Sequence, residues 1–195
     1  MMTQKGLTVV ITGNGKGKTT SALGLALRAT GQGFKVLMLQ FLKTSRAYGE
    51  IKAVEKLVPL MEIIQMGKEC THLDDPDKCY QCPACNFDCH VSLPNPAEED
   101  RQAALKALAL AEEKIKSDQY GMIILDEINY AIDYKLIPLE AVLKLIKEKP
   151  TRLHLVLTGR NARPELVREA DLVTEMLDIK HPFQQGITSI KGIDL

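Results

Sequence analysis

The amino-acid sequence predicts an α/β protein whose mostly parallel sheet is covered by helices on both faces. Three observations predict it. Short β-branched apolar runs alternate along the chain with segments of helical periodicity, as in a parallel sheet with crossover helices. A Gly- and Lys-rich turn, Gly13 to Thr20, joins the first such run to the first helical segment. An acidic pair, Asp126-Glu127, closes a later apolar run.

Taken in order, Leu7 to Thr12 (LTVVIT) suits a buried parallel strand. Thr20 to Arg28 carries small and apolar residues at helical spacing and is ended by Gly31 and Gly33. Lys35 to Phe41 reads as a second strand, Tyr48 to Leu57 as a short helix and Met61 to Gln65 as a third strand. Residues from about 66 to 96 show no periodicity and hold all five cysteines, which marks an insertion loop. Pro96 to Ser117 is a helix, with Asn95 as its cap, Pro96 at its first position, and Glu98, Glu99 and Asp100 favouring the positive end of its dipole. Met122 to Leu125 is a strand, Pro138 to Glu148 a helix, His154 to Thr158 a strand, and Pro164 to Ala170 a short helix. One further weak strand and a tail complete the chain. The simplest partition is a single domain, residues 1–195, with one Cys-rich loop insertion at about 66–96.

Composition narrows the function classes. Lys plus Arg and Asp plus Glu both number 25, a balance that argues against broad electrostatic binding of nucleic acid or of an anionic membrane. Apolar runs fall short of the roughly 20 residues needed to cross a bilayer. Met1 to Gly6 lacks the apolar core of a secretory signal, so the cytoplasm is the expected compartment.

Gly13-Asn14-Gly15-Lys16-Gly17-Lys18-Thr19-Thr20 has the composition and the strand–helix context of a phosphate-binding P-loop. Its glycines let successive backbone N–H groups turn toward phosphate oxygens, Lys18 adds a mobile positive charge, and Thr19 offers a hydroxyl to Mg²⁺. The loop is one residue short. Three residues separate Gly13 from Gly17, where the usual pattern has four, and Thr12 takes the expected first-Gly position. Asp126-Glu127 stands where a P-loop protein places the acidic residue that organises Mg²⁺ or water. The chain lacks an Asn-Lys-x-Asp element, which favours adenine over guanine. Thr158-Gly159-Arg160 follows another buried strand at the same expected edge, so Arg160 is a candidate for phosphate or ribose.

The cysteines point to a metal. Cys79-x-x-Cys82-x-x-Cys85-x-x-x-Cys89 has the spacing of a bacterial ferredoxin cluster run, with His90 replacing the usual Pro. A single [4Fe–4S] cluster would use Cys70 with Cys79, Cys82 and Cys85. Zinc is the competing reading, through any four of the five thiolates or three with His72 or His90.

Several ordered stretches carry a wider resemblance: Gly13 to Thr20; Arg28 to Gly33; Gln40-Phe41-Leu42-Lys43; Leu125 to Tyr130; Leu157 to Asn161; Ala170-Asp171 to Met176; Lys180 to Phe183; and Gly192-Ile193-Asp194. Together they resemble the P-loop type of ATP:corrinoid adenosyltransferase, which makes adenosylcobalamin. The resemblance implies that a Co(I) corrinoid attacks the 5′ carbon of ATP and that triphosphate leaves. It also implies that ATP lies reversed relative to ordinary P-loop enzymes, with the γ-phosphate deepest in the loop. Carried onto this chain, Lys18 and the loop amides hold triphosphate, and Thr19 and Glu127 organise Mg²⁺ with Asp126 as neighbour. Arg28 and Arg160 would serve the nucleoside or phosphate ends. Displacement at carbon needs alignment and leaving-group stabilisation, not a general base. A homodimer and a reductase that supplies electrons for Co(I) are implied too.

Family members carry a Phe/Trp pair after the third strand that strips the lower axial ligand from cobalt. This chain has no Trp, and the Cys-rich insertion falls at about that place; Phe87 and Tyr80 are its available aromatics. An iron–sulfur cluster there would be positioned to pass the electron that makes Co(I). Two other function classes compete: a P-loop nucleoside kinase with a structural zinc site, and a non-catalytic ATP-binding regulator. In zinc-bearing thymidine kinases the cysteines follow the acidic pair as two doublets, whereas here all five precede Asp126.

Overall fold

The computed structural model describes residues 5–44, 48–68, 95–187 and 190–193. Among these, six strands form one sheet: β1 (Thr8–Thr12), β2 (Val36–Phe41), β3 (Met61–Met66), β4 (Met122–Asp126), β5 (His154–Thr158) and β6 (Leu172–Glu175). Their order is β3-β2-β4-β5-β1-β6 and every pairing is parallel. An all-parallel sheet puts every strand's carboxyl end on one edge, which is where ligands bind in open α/β folds.

Among the described residues six α-helices join the strands: α1 (Lys18–Gly31), α2 (Gly49–Val54), α3 (Glu98–Lys116), α4 (Ile128–Asp133), α5 (Leu139–Glu148) and α6 (Pro164–Glu169). Side chains alternate across a strand, so β1 to β5 feed two cores, while the four residues of β6 are exposed. Val9, Ile11, Val36, Met38, Ile124 and Val156 pack with Ala22, Ala26 and Ala29 of α1 and Val54 of α2. Val10, Leu37, Leu39, Ile123, Leu125, Leu155 and Leu157 pack on the other face with α3, α4, α5 and α6. The alanine stripe of α1 lets that helix sit close on the sheet beneath the phosphate loop.

The predicted fold class is observed: parallel sheet, both faces covered. Three local expectations change. Helix α3 begins at Glu98, two residues later than expected, and Asp100 Oδ2 accepts the Ala97 N–H at 2.9 Å, so Asp100 satisfies the first turn rather than Asn95. Helix α2 ends at Val54, and Leu57 N–H continues the turn onto the Val54 carbonyl. Helix α4 is not expected from the sequence; it starts directly after Glu127, whose φ of 62° turns the chain out of β4. Of the expected insertion, Met66 closes β3 and residues 69–94, with all five cysteines, lie outside the described residues.

Candidate active site

The turn between β1 and α1 is shaped by what lies against it. Gly13 has φ +96°, and a Cβ there would stand 2.4 Å from the Met176 carbonyl oxygen. A Cβ on Gly15 would stand 2.4 Å from the Leu177 oxygen. The contact is also bonded: Gly15 N–H donates to Met176 O at 2.7 Å, and Met176 N–H donates to Thr12 O at 2.8 Å. Glycine is therefore required twice by packing against the exit of β6. Gly17, at φ +110°, then opens α1.

Lys18 is 8% exposed and its Nζ donates to the carbonyls of Gly13 and Gly15, at 2.9 and 2.8 Å. Burial lowers its pKa; Glu127 pulls it back up and Arg160 adds to the lowering. An ammonium held on neutral carbonyls in a buried loop is an unquenched positive charge for an anion.

Asp126, fully buried at the end of β4, is the hub of the opposite wall. Its Oδ1 accepts the hydroxyls of Thr19 (2.9 Å) and Thr158 (2.6 Å). Its Oδ2 accepts Lys43 Nζ (2.7 Å) and Gln40 Nε2 (3.3 Å). Four donors fill the capacity of one carboxylate. Thr158 uses its proton on Asp126 and accepts the Glu127 N–H at 3.0 Å, which couples the end of β5 to the turn after β4. Gln40 also donates to Glu50 Oε1 (3.2 Å) and accepts from Gln65 Nε2 (3.0 Å). Burial works against the Lys43 ammonium, but the adjacent Asp126 carboxylate outweighs it and raises the Lys43 pKa.

Glu127 is the contrast. Its Oε2 is buried with no hydrogen-bond partner among the described residues. Burial, then the Asp126 charge, pushes its pKa up, while Lys43, Lys18 and Arg160 pull it down. Such an orphaned acceptor beside three cations has the character of a ligand atom. Two residues on, Asn129 donates from Nδ2 to the Gly159 carbonyl (3.1 Å) and leaves its own Oδ1 buried without a partner. Gly159, at φ +127°, admits this approach because a Cβ there would lie 2.9 Å from Asn129 Cβ.

These residues fit Mg²⁺. Thr19 spends its proton on Asp126 and accepts one long bond from Lys43 Nζ (3.4 Å), which leaves a second lone pair, and Glu127 Oε2 has no partner; both are the hard oxygens Mg²⁺ takes. Among the described residues no group of three or more His, Cys, Asp or Glu could hold a metal. A hydroxyl and one carboxylate completed by substrate phosphates is the sparser Mg²⁺ arrangement.

The structure thus brings together Gly13 to Thr19, Asp126, Glu127 and Arg160, whose charge reaches Lys18, Glu127 and Tyr130. Asn14, Lys16 and Thr20 lie exposed on the loop's rim. Arg28 is not part of this cluster: it sits in the last turn of α1, about 15 Å along the helix from Lys18. Cys70, Cys79, Cys82, Cys85 and Cys89 lie outside the described residues. Sequence reasoning assigned no role to Lys43, Gln40 or Thr158. The available signal was a glutamine inside the fully buried strand VLMLQF.

Comparison with known proteins decides the family. Residues 4–195 match the family of ATP:corrinoid adenosyltransferases BtuR/CobO/CobP. The chain belongs to this family. A corrinoid adenosyltransferase from a Sinorhizobium species is 36% identical over 193 residues, covering 98% of this chain and 81% of the relative. The corrinoid adenosyltransferase of Escherichia coli K12 is 32% identical over 191 residues, covering 98% and 86%. The chain also shares its fold with the KaiC-like protein PH0186 of Pyrococcus horikoshii, at a TM-score of 0.52 and 17% identity, over 90% of this chain and 74% of that one. That likeness concerns architecture alone. Among the described residues no helix is long and apolar enough to cross a membrane.

Proposed function

We propose that this chain transfers the 5′-deoxyadenosyl group of ATP to a Co(I) corrinoid and releases triphosphate, in the making or salvage of adenosylcobalamin. The observation that carries this reading is the family match, which runs from residue 4 to residue 195 and so includes both walls of the site. In the reaction the cobalt lone pair forms a Co–C bond to C5′. The C5′–O5′ bond breaks, its electron pair leaves on the triphosphate, and cobalt becomes formally Co(III).

The site's residues suit that division of labour. Lys18 leaves its carbonyls for phosphate oxygens, where it stabilises charge that grows as the triphosphate departs. The loop, Gly13 to Thr20, cradles the triphosphate with the γ-phosphate deepest. Thr19 and Glu127 hold Mg²⁺, which when bound neutralises the phosphate oxygens. Asp126 keeps the Thr19 hydroxyl oriented, and Arg160 supports the nucleoside side of the cleft. Beyond the described residues, the thiolates of Cys70, Cys79, Cys82, Cys85 and Cys89 have the donor chemistry for a [4Fe–4S] cluster or for Zn²⁺, and metal analysis of anaerobically purified protein separates the two. A homodimer and an external reductase complete the proposal.

The test is anaerobic incubation with ATP and a chemically reduced corrinoid. Triphosphate and a Co–C absorption band should appear in equal amounts. Formation of ADP, or ATP binding with no change at cobalt, would overturn the reading in favour of a kinase or a regulator.

A further inference from the structure

The corner between α1 and β4 already holds a cation. Lys43 Nζ lies 2.7 Å from Asp126 Oδ2 and 3.4 Å from the Thr19 hydroxyl oxygen, while its side chain is only 17% exposed. The lysine is fixed from behind. Its carbonyl accepts the Gly67 N–H at 2.8 Å, tying the β2 exit to the β3 exit, and its ammonium stands 5.5 Å from the centre of the Tyr48 ring. Asp126 has no lone pair left over, since Thr19, Thr158, Lys43 and Gln40 use them all. Around Glu127 the charges are those of Asp126, Lys43, Lys18 and Arg160, so three cations face two carboxylates.

From this arrangement we propose that Lys43 is a positioning residue that keeps divalent metal off the Thr19–Glu127 corner until the triphosphate arrives, so that metal and nucleotide enter together. The inference rests on the assignment of Mg²⁺ to Thr19 and Glu127 made above. A dication approaching this corner without nucleotide meets a net positive field and an ammonium within reach of one of its two ligands. The triphosphate reverses that sign with about four negative charges, and the same corner then attracts metal. Lys43 stays on Asp126 throughout, so Asp126 remains charged and continues to orient the Thr19 hydroxyl. A lysine with a merely structural role would stabilise the fold and leave the order of metal and nucleotide binding untouched.

Mn²⁺ titration followed by electron paramagnetic resonance reads this directly on the full chain, with and without ATP. Wild-type protein should bind Mn²⁺ only weakly without ATP, and with ATP should bind it stoichiometrically as a protein-bound species distinct from a protein-free Mn²⁺–ATP control. Lys43→Gln keeps a donor to Asp126 but removes the charge, and should bind Mn²⁺ without ATP at least about tenfold more tightly than wild type. Lys43→Arg should behave as wild type. Lys43→Met serves as the neutral variant if Lys43→Gln does not fold by circular dichroism. If both neutral variants match wild type without ATP while the wild-type ATP arm binds Mn²⁺, the role of Lys43 is refuted and the Mg²⁺ assignment stands. If wild type fails to bind Mn²⁺ even with ATP, the Mg²⁺ assignment falls and this inference with it.

Discussion

The two ends of the same sheet solve opposite problems. At the amino ends of the strands, Lys149 Nζ donates to the carbonyls of Gly6 (2.9 Å) and Leu153 (2.7 Å), and His154 Nδ1 accepts the Leu7 N–H (3.1 Å). The buried Tyr120 hydroxyl there donates to Glu62, and the Lys35 ammonium sits 4.9 Å from the centre of the Tyr120 ring. At the carboxyl ends, Glu127 Oε2 and Asn129 Oδ1 are buried and unpartnered, and Lys18 rests on loop carbonyls. Buried polar groups are nearly always paired, so unpaired atoms concentrated at one end mark where something else is meant to bind. One end holds the sheet together; the other holds charge in reserve.

The largest effect should come from Lys18→Met, which ought to lower adenosylation about 10³-fold by removing the charge that follows the leaving triphosphate. Its stability signature has a defined sign. Burial lowers the Lys18 pKa below 10.5, so the unfolded chain binds the proton more tightly, and wild-type stability relative to the variant should rise as pH climbs toward 10.5. Urea midpoints of both proteins between pH 8 and 10.5 check this.

Glu127→Gln comes next. Turnover at saturating Mg²⁺ should fall about 10²-fold, with a raised metal requirement. Its folded pKa stands above 4.5, so wild type loses stability as pH rises from 4.5 through that raised value. The variant lacks this loss and should melt higher at neutral pH, with the gain disappearing below 4.5. A lower melting point for Glu127→Gln at neutral pH would mean that the orphaned oxygen is a structural acceptor and the contrast between the two ends is false.

The smallest effect sharpens the other end. Tyr120→Phe removes one partly shielded hydrogen bond and should cost about 1 kcal/mol, or about 2–4 °C in melting temperature for a chain of this size. Adenosylation should be unchanged within error. A kinetic defect in this variant would show that the amino end is coupled to the site.

How much of this could be read beforehand depended on distance along the chain. The phosphate loop is eight contiguous residues and its strand–helix context is local, so pattern alone placed it. Asp126-Glu127 was legible because an acidic pair ending MIILD breaks an apolar run. Helix α4 was not, because Ile128, Asn129 and Tyr130 are weak helix formers and the start signal is a left-handed φ at Glu127, which sequence does not display. The hub was hidden for a different reason. Lys43 and Gln40 reach Asp126 from 83 and 86 residues away and Thr158 from 32, and no local periodicity reports a bond across neighbouring strands. Arg28 shows the converse, since its motif reads as a site residue while the helix carries it to the far end.

The close contact of Gly13 and Gly15 with the backbone of Met176 and Leu177 has a consequence for anyone who would redesign this loop. Restoring the usual spacing by inserting one residue would drive the loop into β6, the sheet's edge strand, whose Leu172 and Val173 are 48% and 39% exposed. The shortened loop and the backbone of Met176 and Leu177 packed against it form one structural unit. Loop-swapping between this chain and an ordinary P-loop protein should therefore fail unless residues 172–177 travel with the graft.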